Sequence, residues 1–198
     1  MHRSVFALFI AGLVAGLAFL GACASPVERA AYPELRFAQL PVLALDVARI
    51  DYVDAYNAPA ALPNVDHLFP QTPETTARNW AAHRFAAVGS TRSARITLTD
   101  AHVTSELLAT TAGIEGWFTI EQEEELSARA AVTIEIFDEI GGREGYVKAE
   151  ARLSRTLPER LTVNERNAIA YEMTEKLIMA LDAEVEKVVR AHLAHYLR

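Results

Sequence analysis

The chain has 198 residues, with 19 basic against 26 acidic side chains, a net charge of −7 and a single cysteine. That balance argues against broad binding to nucleic acid or to anionic lipid headgroups, both of which need an extended basic patch. One cysteine excludes an intramolecular disulfide, and the length suits one domain with a real core.

The first element is a leader. Arg3 gives a basic start, Phe6 to Leu20 carries no charge, and Leu20-Gly21-Ala22 brings small residues up to Cys23. The apolar run falls short of the ~20 residues a spanning helix needs, and its order is that of an export signal. With the sole cysteine in that place, the stretch resembles a bacterial lipoprotein signal. The resemblance implies cleavage before Cys23, a diacylglycerol on its sulfur and an acyl chain on the new amino terminus, with no other cofactor. An uncleaved N-terminal anchor is the competing arrangement. The expected organisation is a signal over 1–22, a lipidated tether over 23–40 and one domain over 41–198, with about 176 residues left after cleavage.

Along the domain, Val42 to Tyr52 alternates as a strand until the apolar parity slips, which predicts a bulge near Ala48. After a proline-bearing connector, Thr72-Pro73-Glu74 opens a helix with a hydroxyl cap and a first-turn proline. Ala77, Trp80, Ala81, Phe85 and Val88 hold helical spacing up to a C-cap at Gly89. A second strand starts near Ala94. A long loop from Ser105 to Glu125 follows, carrying Trp117-Phe118 and acids at Glu121 and Glu123 to Glu125. Leu126 to Ile136 and Val147 to Leu153 alternate cleanly on either side of Gly141-Gly142-Arg143-Glu144-Gly145, the pattern of a hairpin with one covered face.

Thr162-Val163-Asn164-Glu165 fits a capping box, and an apolar stripe then runs to Tyr196. A helix over 163–197 would be ~52 Å long against ~20 Å for a six-residue strand, so its C-terminal end should outrun the sheet. The predicted fold is α+β: a two-layer sandwich of a four-stranded, mainly antiparallel sheet backed by two helices, in the order β-α-β-β-β-α with a long C-terminal helix.

Chemistry is sparse. His67, His83, His102, His192 and His195 lack metal-ligand spacing, and Ser90 lacks the context of a nucleophile elbow. The glycines at 141–145 join two strands instead of opening a helix, and the acids at 121–125 read as a solvated loop. No catalytic set and no metal site is expected. Two interaction surfaces are. Trp117 and Phe118 are adjacent, so on extended backbone one faces away from the core, although a satellite cluster beneath the loop fits equally. Val185, Val188, Val189, Leu193 and Tyr196 extend the helical stripe beyond the sheet's reach, as a groove-binding or self-pairing helix would.

The strand-helix-strand-strand-strand-helix order on a lipid tether resembles small envelope lipoproteins such as the LPS-assembly lipoprotein and the auxiliary lipoproteins of ABC-type lipid transporters. More locally, Pro63-Asn64-Val65-Asp66-His67-Leu68-Phe69-Pro70 with Trp80-Ala81-Ala82-His83-Arg84-Phe85 resembles a group of uncharacterised alphaproteobacterial lipoproteins. Ala24 and Ser25 after the cysteine, in place of aspartate, imply the periplasmic face of the outer membrane. The function expected is a non-catalytic accessory or assembly subunit of an envelope complex. It would be held to the membrane by its lipid and joined to a protein partner, with no nucleic acid. A lipid- or amphiphile-binding carrier is the alternative, with room beside Ala128, Ala130, Ala149 and Ala151.

Overall fold

The structure is a computed structural model that describes residues 30–57, 59–108, 122–158 and 160–198. Its strands are β1 (Leu43–Leu45), β2 (Arg49–Asp54), β3 (Phe85–Ala87), β4 (Ser93–Asp100), β5 (Val103–Leu107), β6 (Gln122–Phe137) and β7 (Arg143–Pro158). Its helices are α1 (Pro73–Arg84) and α2 (Val163–His192). The class is α+β with two helices and a long C-terminal one, as expected. The sheet differs in detail.

The first strand breaks where the parity slips. β1 leaves the main sheet and pairs in parallel with β3, Leu43 opposite Phe85, while β2 pairs in parallel with β4, Ile50 opposite Ala94. The main sheet is therefore mixed, with one parallel pair among antiparallel ones. One edge of β6 carries β4 along 131–137 and β5 along 124–128; the other carries β7 from end to end. Five strands thus make a sheet four strands wide.

The predicted helix to Gly89 stops at Arg84. Phe85 turns to extended backbone, and Val88 and Gly89 donate to the Leu45 and Val47 carbonyls. Gly89 is not a helix cap but a point of close approach: a Cβ there would lie 2.6 Å from Asp46 C and Val47 N. Both N-caps form as the sequence predicts. Thr72 accepts from Thr75 N, and Thr162 shares a full capping box with Glu165.

β6 and β7 are 16 residues each, or ~53 Å, against ~45 Å for the 30 residues of α2. The helix therefore does not outrun the sheet. Asp138 ties the hairpin, accepting from Ile140 N at 3.0 Å and Gly142 N at 2.6 Å, with Gly141 at φ +88° in the turn. Of the acids expected in a loop, Glu121 lies outside the described residues and Glu123 to Glu125 belong to β6: Glu124 is buried, bound by Arg166 at 2.5 Å and Ser105 at 2.6 Å.

The core lies between the helices and one face of the sheet. Met173, Leu177, Ile178 and Leu181 of α2 are closed off together with Val147, Ala149 and Ala151 of β7, each large side chain contributing roughly 1.5–3 kcal/mol. Part of the segment expected as a tether packs on the domain. Leu35 and Phe37 are core residues, and Tyr32 donates to the Asn164 carbonyl and stacks on Tyr171. Among the described residues no helix is long and apolar enough to cross a membrane.

Candidate functional site

Of the predicted site residues, Cys23, Trp117 and Phe118 lie outside the described residues. The helical stripe is described, and it faces the core. Val185 and Val189 are 0% exposed and Leu193 1%, while Val188 and Tyr196 are half-buried against the same core. Two features close it. Gly145 has no Cβ where Leu193 Cδ2 lies, only 2.8 Å from where one would be. The tail after α2 then folds back: Tyr196 accepts from Asp46 N, Leu197 bridges Leu45, and Arg198 donates to the Ala44 carbonyl and to Asp46. The stripe is consumed by the domain itself.

The open surface is at the opposite edge of the sheet. Among the described residues β2 pairs only with β4, so its outer edge keeps unpaired backbone groups. Tyr52 is 44% exposed and Val53 40%. Beside them α1 fails to seat fully on the sheet. Ala77 and Ala81 face Ile96, Leu98 and Val132 across a cleft of about 90 Å³, with Tyr52, Val53, Asp54 and Arg78 at its rim. Alanines one turn apart leave the space that a leucine pair would fill.

The rim is charged but paired. Arg78 Nη2 donates to Asp54 at 2.9 Å and to Glu74 at 2.8 Å. Burial and the neighbouring Asp54 push the Glu74 carboxyl above its ordinary value. Tyr56, whose hydroxyl is buried without a partner, is pushed up to about 12 by burial and by Asp66, Asp100 and Glu74. Inside, the lining is hydrocarbon. This arrangement can desolvate an apolar side chain, and it brings no nucleophile, base and electrophile together. Among the described residues no group of His, Cys, Asp and Glu is placed to hold a metal.

One buried polar cluster escaped the sequence reading. Asp182 Oδ1 of α2 accepts from Trp80 Nε1 at 2.8 Å and from Arg84 Nε at 2.6 Å. Arg84 also donates to Glu186 at 2.6 Å and to the Pro41 carbonyl. Arg84 is 1% exposed, and each of its three nitrogens has an acceptor, so the cluster fastens α1 to α2 and leaves nothing for a ligand. Its sequence signal was an arginine one turn after Trp80 on an apolar face, and an aspartate beside Leu181 within the stripe.

No family model matches the chain, and no curated protein does. Solved structures give faint likenesses. A minor lipoprotein from Acinetobacter baumannii is 16% identical with a TM-score of 0.38, covering 79% of this chain and 96% of its own. Rare lipoprotein B from Shewanella oneidensis is 10% identical at 0.38, covering 72% and 95%. A Xanthomonas campestris protein is 10% identical at 0.27, covering 84% and 92%.

Proposed function

We propose that the chain is a lipid-anchored accessory subunit of a bacterial envelope complex, without catalytic activity, that docks a protein partner on the β2 edge and the cleft beside α1. The anchor rests on the leader, whose charge-free run ends at the only cysteine, in Leu20-Gly21-Ala22-Cys23. Docking rests on one observation: a strand edge left free, among the described residues, beside an apolar cleft that they leave unfilled. A partner strand added there gains main-chain hydrogen bonds, and an apolar side chain in the cleft gains burial and selectivity. In this cleft of about 90 Å³ a side chain fits better than a whole ligand, since ligand pockets run to roughly 300–1,000 Å³.

The test is a photo-crosslinker at Val53 in the full lipidated chain in its own membranes. One envelope protein should cross-link in stoichiometric yield and disappear with Tyr52→Asp, while the anchor still fractionates with membrane. Cross-links to lipid alone would reject docking in favour of the carrier. Loss of membrane association without loss of Cys23 would reject the anchor.

A further inference from the structure

The face of the sheet turned away from the helices holds a second concavity, of about 380 Å³, at the centre of the β6–β7 ladder. Its polar side chains are His102, Ser127, Arg129, Arg152 and Ser154, with no carboxylate among them. The pairing of the strands makes that set unusual. Arg129 lies directly opposite Arg152, and Ser127 directly opposite Ser154, two positions further along the same face. Like charges set opposite each other across a ladder destabilise it, so this pair needs a compensating reason.

Part of the compensation is internal. Arg129 donates to Glu150 at 2.6 Å and sits 3.0 Å from Asp100, while Arg152 gives its Nε to Glu150 at 2.7 Å. Glu150 is held down to about 2 by these two guanidinium groups. Asp100 also fixes His102 through Nδ1 at 2.6 Å. At the concavity the two guanidinium groups, Arg129 and Arg152, stand against two carboxylates, Asp100 and Glu150, on a protein whose total charge is −7. Donors are also left over. Among the described residues the two terminal nitrogens of Arg152 have no acceptor, the Ser127 and Ser154 hydroxyls have no partner, and Arg129 Nε is buried without one.

We propose that this concavity binds a phosphate group, clasped by the Arg152 fork and the paired Ser127 and Ser154 hydroxyls, with the Arg129 guanidinium behind it. A tetrahedral oxyanion offers acceptors in several directions, and a planar guanidinium suits two of them at once. The site is separate from the β2 edge and does not rest on the docking reading. The phosphate could belong to a lipid headgroup or to a free molecule, and these two sources are separable by experiment.

The full chain in a neutral detergent would be titrated calorimetrically with inorganic phosphate and, separately, with dihexanoylphosphatidic acid. Arg152→Gln should weaken binding about tenfold or more, the scale of a hydrogen bond to a charged group. Ser127→Ala with Ser154→Ala should weaken it several-fold. Arg95→Gln, on the same face but outside the concavity, should leave it unchanged. Arg152 is 72% exposed, so its variant should fold, and an unchanged melting temperature would establish that. Saturable binding of inorganic phosphate with this pattern supports a free ligand; binding of the phosphatidic acid alone supports a headgroup. No saturable binding of either, or equal binding by Arg152→Gln, overturns the proposal.

Discussion

The two ends of the sheet are built to different standards of closure. At the β7 side a 30-residue helix covers a 16-residue strand, and Met173, Leu177, Ile178, Leu181, Val185 and Val189 of α2 are sealed. At the β2 side a 12-residue helix lies over a six-residue strand, alanine faces isoleucine, and a cleft remains. The closed end contributes most of the apolar burial that stabilises the domain. The open end contributes little and keeps free the surface a partner would need. What separates them is the helix: α1 is shorter and less apolar than α2, and it places alanines at the cleft.

The sharpest way to break the closed end is at the cluster joining the two helices. Asp182→Ala removes the acceptor shared by Trp80 and Arg84 and leaves a buried guanidinium short of a partner. The expected loss is ~3–5 kcal/mol, or roughly 6–20 °C in a domain of this size. Urea unfolding would measure it, and a loss below ~1 kcal/mol would mean that Glu186 alone suffices for Arg84.

One substitution made at both ends tests the comparison directly. Ala149→Met adds volume beneath α2, where there is none to take it, and should cost ~1–3 kcal/mol. Ala81→Met adds the same atoms beside the cleft and should gain up to ~1 kcal/mol while abolishing cross-linking from Val53. Thermal unfolding of the pair decides it. Equal losses at the two positions would show that the cleft is not usable space.

Much of the closed end was legible in sequence. The strict alternation of Leu126 to Ile136 and Val147 to Leu153 follows from one face being buried, and the Thr72 and Thr162 caps announce both helix starts. The misses came where long-range pairing overrode local pattern. Phe85-Ala86-Ala87 continues a helical spacing, yet β1, some forty residues earlier, takes it as a strand. Gln122 to Glu125 reads as a solvated loop until Arg166 and Ser105 bind Glu124. The terminal stripe reads as an overhang only while β6 and β7 are taken as short. The candidate site was less legible still. An alanine leaves a cleft only relative to what faces it, and Ala77 opposite Ile96 is a fact of the fold, not of either segment. Ala149 and Ala151 were equally plausible openings, and α2 packs over their strand.

The open face lies between these two ends in its expected effect, and acid separates it from both. Hydrogen bonds from Arg129 and Arg152 hold the Glu150 carboxyl down to about 2, against an ordinary 4.5. A carboxylate depressed by folding contributes its stability in full above the unfolded value, and that contribution is lost as pH falls from about 4.5 through about 2. The residue is partly solvated, so the loss belongs to the range of exposed ion pairs, ~0–1 kcal/mol. Glu150→Gln should therefore lower the melting temperature slightly at neutral pH and flatten its fall between those two values. In Arg152→Gln the titration midpoint of Glu150, followed by the shift of its carboxyl carbon, should move upward. A wild-type midpoint at the ordinary value would mean that the two arginines do not hold the carboxylate in solution.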